Sequence, residues 1–294
     1  MSNPIQWCTE VWNPVVGCSH VSSGCDNCYA ARMASRFRQE GEEFAGLTGK
    51  DECNCGYYCD CDGYSKGPFN GTVKFKPNRL EKPFHWKKPR RIFVTSMGDL
   101  WHPSVTREQR AAVFGVICST PHIYLDLTKR PENRLEWFSE KRTTEQWMEW
   151  LRLHMNDNGI KGKPNSSWPP PNYWSGVSVE DQKTADDRIP LLLHTSAAKR
   201  FVSYEPALGP LNFSSIQDGR TRPMEFSARY LPFAAMSLII CGAETGPHKR
   251  PMSLDWARSV RDQCKAAGVH FWFKKDSYGN ETLDGVDHHP EFWR

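Results

Sequence analysis

Tyr173 to Val179 (YWSGVSV), a run of aromatic, small and β-branched residues, passes directly into the helix-like stretch Asp181 to His194 (DQKTADDRIPLLLH). A short run of this kind reads as a buried strand, and a helix straight after it is the return leg of a βα unit. Working outward, the same pattern recurs. Further strand-like runs are Arg91 to Ser96 (RIFVTS), His122 to Thr128 (HIYLDLT), Arg200 to Tyr204 (RFVSY), Ser237 to Gly242 (SLIICG) and His270 to Phe273 (HFWF). Helix-like segments fall between them at Arg107 to Ser119, Arg134 to His154 and Leu254 to Ala267. Alternation of strands and helices predicts a parallel sheet with right-handed crossovers, the α/β class. The helix ends carry chemical marks: Thr106 before Glu108 and Gln109, and Ser253 before Asp255, supply capping oxygens, while Gly268 suits a C-terminal stop. Three stretches interrupt the pattern: Gly41 to Lys88, the Pro-rich loop Gly159 to Asn172, and Asn212 to Pro232.

The 294 residues suit one large α/β domain or two small ones, and length slightly favours a single unit, 1–294, with residues 41–88 inserted into it. A formal charge of +4 is small for that length, so any affinity for nucleic acid has to come from a local patch. One candidate patch lies between Lys74 and Arg91. Lys74, Lys76, Arg79, Lys82, Lys87, Lys88, Arg90 and Arg91 stand there against a single acid, Glu81, with Phe75, Phe84, His85 and Trp86 between them. Cations for phosphates and flat rings for bases are what a DNA or RNA groove uses, and a solvated basic face beside a core strand is the equal alternative. With no basic leader and no apolar run long enough to span a bilayer, the expectation is a cytoplasmic protein with no membrane partner.

Eleven cysteines are many for such a protein, and seven of them fall in two early groups, which in a reducing compartment favours metal ligation. Cys118 and Cys264 sit in helix-like apolar patterns and read as small buried residues. Cys18-x6-Cys25-x2-Cys28 supplies three thiolates. An electron-transfer cluster or a structural zinc usually takes four ligands, so three cysteines on a 4Fe-4S cluster would leave one iron open to substrate or cofactor. His20 could instead complete a zinc knuckle, and spacing alone leaves both readings open. Cys53, Cys55, Cys59 and Cys61 form a second set of four, suited to zinc or to an auxiliary iron-sulfur cluster, with two local disulfides as the alternative.

The run Asn13-Pro14-Val15-Val16-Gly17-Cys18 with Gly24-Cys25-Asp26-Asn27-Cys28-Tyr29-Ala30 resembles the cysteine motif of radical S-adenosylmethionine proteins related to spore photoproduct lyase. More closely, the chain resembles a three-Cys-motif family of bacteriophages and bacteria with no assigned role. Ordered matches extend through Pro89 to Val94, Leu127 to Pro131, Gly176 to Gln182, Glu205-Pro206 with Leu208 to Pro210, and Gly242 to Pro247. Two features depart from the usual pattern: the first two cysteines are three residues further apart, and the second cysteine group is additional.

The resemblance implies a partial (β/α)6-type parallel barrel holding a 4Fe-4S cluster on Cys18, Cys25 and Cys28. It further implies S-adenosylmethionine as cofactor, bound by residues at the strand ends. An acceptor between Ser96 and Asp99 would take its ammonium, Ser178 or Glu180 its ribose hydroxyls, and the turn at Gly242 would pass close to its adenine. Glu205 and Glu244 complete the strand-end set, and capping of the following helix is the alternative for Ser178 and Glu180. Reductive cleavage to a 5'-deoxyadenosyl radical, with an electron from an external one-electron donor, would then act on a nucleic acid or nucleotide. No side chain of the chain itself is assigned a catalytic role, and a partner protein stays open. The alternative from another class is a zinc-stabilised nucleic-acid-binding protein without catalysis. If the chain is phage-encoded, the compartment is the cytoplasm of the bacterial host.

Overall fold

Tyr173–Val179 is a strand buried along its whole length, and its helix follows after a gap of two residues. In the computed structural model, which describes residues 5–48, 69–217 and 235–290, this unit is the middle of a longer series. The strands are β1 (Glu10–Trp12), β2 (Val15–Val16), β3 (Lys74–Phe75), β4 (Arg91–Val94), β5 (Ile123–Thr128), β6 (Tyr173–Val179), β7 (Lys199–Tyr204), β8 (Leu238–Gly242) and β9 (His270–Lys275). The helices are α1 (Tyr29–Ser35), α2 (Arg107–Ser119), α3 (Pro131–Phe138), α4 (Thr144–Asp157), α5 (Gln182–His194) and α6 (Leu254–Ala267). Seven strands form one sheet in the order β1-β4-β5-β6-β7-β8-β9, every neighbouring pair parallel. The sheet curls into a half-barrel, a partial parallel α/β barrel. β2 and β3 pair antiparallel beside it.

Side-chain alternation along parallel strands sorts the residues onto two faces. The outer face is covered by helices in two blocks. Ile92, Val94, Tyr124 and Tyr173 pack with α2 and α4, and Val177, Val202, Ile239 and Phe273 pack with α5 and α6. Cys118 and Cys264 are buried in these layers, as expected. On the inner face Trp7, Phe93, Leu125, Trp174, Phe201, Leu238, Ile240 and Trp272 pack on one another, and among the described residues no helix contributes to that cluster. Gly176 is required here, because a Cβ at that position would lie 2.3 Å from the Phe201 ring.

Two expectations need correction. Arg134 to His154 is not one helix: α3 ends at Phe138, and α4 starts afresh after Thr143. A reciprocal capping box makes the second start, with Gln146 N donating to Thr143 Oγ1 at 3.3 Å and Thr143 N to Gln146 Oε1 at 2.9 Å. The sheet also has seven strands where six were expected. The unforeseen one is β1, three residues at the edge with no apolar run to announce it. The caps at Thr106 and Ser253 and the left-handed stop at Gly268, with φ of 68°, are present as expected. Among the described residues no helix is long and apolar enough to cross a membrane.

Candidate functional site

All seven strands of a parallel sheet end on the same side, and in such folds the functional groups gather there. After β1 the chain passes Asn13 and β2 to Gly17, whose φ of 92° and position against Thr72 O, 2.2 Å from where a Cβ would sit, admit only glycine. The loop from Cys18 to Cys28 then lies across the strand ends, gripped at three points.

The first grip is at Cys18. Arg130, two residues past the end of β5, donates from Nη1 to Cys18 Sγ at 3.4 Å and to Asp99 Oδ2 at 3.0 Å. Its Nη2 donates to Ser19 O at 2.9 Å and to Ser19 Oγ at 2.8 Å. Asp99 is held in turn by Thr128 Oγ1 at 2.8 and 2.9 Å and by Trp101 N at 2.9 Å. Both partners are buried, their side chains 7 and 6 % exposed. Burial pushes the Cys18 thiol up to about 12, Asp99 adds to the rise, and Arg130 opposes it.

The second grip is in the middle. Ser22 Oγ donates to Glu180 Oε1 at 3.0 Å. Glu180 is fully buried and paired with Lys129 and, at 3.1 Å, with Arg188. Gly24 lies against this cluster so closely that a Cβ there would stand 2.3 Å from Glu180 Oε1. The third grip is at the far end. Asn27 Nδ2 donates to Glu244 Oε2 at 2.9 Å, and Arg250 ties Glu244 (Nε at 3.0 Å) to Asp26 (3.1 Å) and to Ser23 O (2.7 Å). Burial would raise the Glu244 carboxyl, yet the hydrogen bonds from Arg250 and Asn27 hold it below its ordinary range.

Cys28 is the N-cap residue of α1, its side chain making no capping hydrogen bond, with the backbone N–H groups of Ala30 and Ala31 close by. Burial raises its thiol, with those N–H groups acting the other way. Cys25 lies near enough to both other cysteines for its charge to be felt at each. A cleft of about 130 Å³ opens beside Cys25 and Cys28 towards Arg32 and His248. Tyr29 OH donates to Ser96 O at 2.8 Å, and Arg32 Nη1 to Thr245 O at 2.9 Å, so α1 is fastened to two strand ends. The turn offering Ser96 O is strained: Thr95, β-branched, sits at φ of 58°. Among the described residues no three His, Cys, Asp or Glu side chains converge as the shell of one metal ion requires. His20 Nε2 is hydrogen-bonded to Asp26 Oδ1 at 2.7 Å.

The strand-end residues singled out in the sequence thus divide in two. Asp99, Glu180 and Glu244 grip the cysteine loop, while Ser96 Oγ donates to Asn13 Oδ1 at 3.2 Å beneath it. Ser178, Glu205 and Gly242 belong to the inner face. Ser178 Oγ donates to Glu205 O at 3.0 Å, Ser203 Oγ to Glu205 Oε2 at 3.2 Å, and Lys274 pairs with Glu205 at 2.8 Å. Gly242 leaves room for that carboxylate, since a Cβ would be 2.7 Å from Glu205 Oε1. The cap of α5 is Asp181, neither Ser178 nor Glu180. Sequence reasoning missed Ser203, Lys274 and Arg250, and Arg130 lay within the matched run Leu127 to Pro131 without a role. The signal for Lys274 was available in the alternation of HFWFKK in β9, which puts Lys274 on the same face as Trp272.

Cys53, Cys55, Cys59 and Cys61 lie outside the described residues. Several cations of the basic stretch are bonded within the protein, Lys82 among them although it stays exposed. Lys74 Nζ donates to Ala45 O at 2.6 Å, Arg79 Nη1 to Asn13 O at 3.1 Å and Lys82 Nζ to Val11 O at 3.1 Å, while Arg90 pairs with Glu10 at 3.9 Å. Three of these bonds brace the edge strand β1 and the turn after it. Lys87 and Lys88 are exposed.

A family model described as a protein of unknown function, DUF5131, matches residues 2–289. Comparison with curated proteins gives no match, and comparison with solved structures gives none either.

Proposed function

We propose that the chain, which belongs to the DUF5131 family of proteins of unknown function, is a radical S-adenosylmethionine enzyme acting on a nucleic acid or nucleotide. One observation carries the reading: three cysteines share a single loop that is clamped across the strand ends of a half-barrel. The donor set fits an iron-sulfur cluster. Arg130 turns an N–H on Cys18 Sγ, and Cys28 sits at the N-terminus of α1. Hydrogen bonds of this kind are what ligated thiolate sulfurs accept. Thiolates that bind different irons of one cluster need not meet at a point, whereas the ligands of a single zinc must.

Held by Cys18, Cys25 and Cys28, such a cluster would supply an open iron for S-adenosylmethionine and the electron for cleaving its sulfonium to a 5'-deoxyadenosyl radical. The chain's own residues bind, orient and exclude water. Arg130, Glu180 and Glu244, with their partners, fix the cysteine loop before any cofactor arrives. Ser178, Ser203, Glu205 and Lys274 offer hydroxyl and charged groups on the inner face for the polar parts of cofactor and substrate, and Gly242 gives the backbone close approach. Beneath them the aromatic floor of Trp7, Trp174, Phe201 and Trp272 keeps solvent from below, which protects a reactive radical from side reactions. The enzyme would act in the cytoplasm, that of the bacterial host if phage-encoded, with its electron from an external donor.

Anaerobic reconstitution of wild type and Cys25→Ala tests this. The wild type is expected to gain the visible absorbance of a 4Fe-4S cluster and to cleave S-adenosylmethionine when reduced, and the variant to lose both. Equal cleavage by the variant overturns the assignment. Zinc without iron in the wild type would point instead to a structural metal protein.

A further inference from the structure

We propose that Arg130 is the positioning residue that fixes Cys18 and raises the electron affinity of the iron-sulfur cluster Cys18 ligates, with Asp99 opposing it. The inference rests on the cluster reading given above and extends it to the control of electron uptake.

Three groups stand in series: the Asp99 carboxylate, the Arg130 guanidinium 3.0 Å away, and Cys18 Sγ 3.4 Å from the same Nη1. The cation is therefore next to the sulfur and the anion behind it. Neither charge is free to move. Arg130 is held by four side-chain hydrogen bonds, to Cys18, Asp99, Ser19 O and Ser19 Oγ, and Asp99 is held by Thr128 and Trp101 N besides. Because both side chains are almost wholly buried, solvent screens them weakly and each acts on its neighbours more strongly than a surface charge would.

Reduction adds one electron, taken from the external one-electron donor, and makes the cluster with its thiolates one unit more negative. A fixed N–H and positive charge at Cys18 stabilise that more negative state, and a fixed carboxylate destabilises it. Hydrogen bonds to sulfur and local charge are among the determinants of such potentials. Lysine cannot replace this arginine fully, because a single ammonium lacks the planar fork that reaches Asp99, Cys18 and Ser19 together.

A purely structural ion pair gives a different pattern from an electrostatic one. If Arg130 and Asp99 serve only to hold the loop, loss of either breaks the same pair and both losses act alike. If they set the electron affinity, the two losses act in opposite directions. The test uses full-length wild type, Arg130→Gln, Arg130→Lys and Asp99→Asn, each reconstituted anaerobically and assayed for iron and sulfide per chain. Each is then titrated with dithionite while the reduced cluster is followed by electron paramagnetic resonance. Arg130→Gln is expected to shift the reduction equilibrium at least tenfold towards the oxidised form, a fall of about 59 mV for one electron. Arg130→Lys should shift it less in the same sense, and Asp99→Asn in the opposite sense. Should Arg130→Gln fail to hold iron, Arg130→Lys and Asp99→Asn still give the two signs. Equal potentials, or shifts of one sign in all variants, overturn the inference and leave the cluster reading standing. A wild type without an iron-sulfur cluster overturns both.

Discussion

The two ends of the half-barrel interior are lined from the same strands by opposite chemistry. In the first half of the interior the inward residues are Phe93, Trp174, Phe201, Leu238 and Trp272 from the strands and Trp7 from the segment before β1, packed on one another. A few residues further along the same inward positions become Ser178, Ser203, Glu205 and Lys274, and above them the cysteine loop is tied down by ion pairs at Asp99, Glu180 and Glu244. The floor contributes stability through apolar burial, which is non-directional and tolerant of shape. The mouth contributes geometry, since buried ion pairs are weak sources of stability but costly to break. Stability and chemistry are thereby separated along single strands, and each end can be perturbed alone.

The largest expected effect is at the floor. Trp7→Ala or Phe201→Ala should lower the unfolding free energy by about 3–5 kcal/mol, read by denaturant titration, while iron bound per folded chain stays unchanged. Iron loss in proportion to destabilisation would break the separation. At the mouth, Gly24→Ala places a methyl group against Glu180 and Lys129 and should cost about 1–3 kcal/mol. Its signature is faster proteolysis within residues 18–28 together with poorer cluster retention.

Acid should open the far grip next. Glu244 has a folded pKa held below its ordinary 4.5, so its contribution is complete above that value and is lost as pH falls through the lower folded value. Amide exchange at residues 23–27 is expected to be flat from about pH 5 to 8 once corrected for intrinsic rates, and to accelerate below that range. Acceleration already near neutrality would mean that another group controls the grip. The smallest effect is expected for Lys87→Ala and Lys88→Ala, within about 0.5 kcal/mol of wild-type stability. A salt-dependent loss of polynucleotide binding in these two variants would support the basic stretch as a nucleic-acid surface.

The parts of this molecule that were legible in its sequence are those set by local chemistry. Six strands declared themselves as short apolar or aromatic runs, and Thr106, Ser253 and Gly268 marked helix ends as their side chains or their absence require. The three-residue strand Glu10–Trp12 did not, because its burial comes from the neighbours that pair with it and cover it. The break between α3 and α4 was hidden by apolar residues continuing in helix-like spacing through Trp137, Trp147 and Leu151, although Thr143 and Gln146 carried a capping signal. At the site, the cysteines stood out by spacing. The carboxylates around them did not reveal their partners. Asp99 is paired across 31 positions to Arg130, Ser22 reaches 158 positions to Glu180, and Asn27 reaches 217 to Glu244. Only the curl of the sheet brings such residues together, so their duty as grips follows from topology and not from any motif.

The most direct measurement is anaerobic iron and sulfide quantitation combined with electron paramagnetic resonance of the reduced protein, with and without S-adenosylmethionine. The proposed cluster, three thiolates with one open iron, predicts about four irons and four sulfides bound at Cys18, Cys25 and Cys28, and a signal that changes shape when S-adenosylmethionine is added. A redox-inert metal at these cysteines, or a cluster signal indifferent to S-adenosylmethionine, would contradict the account.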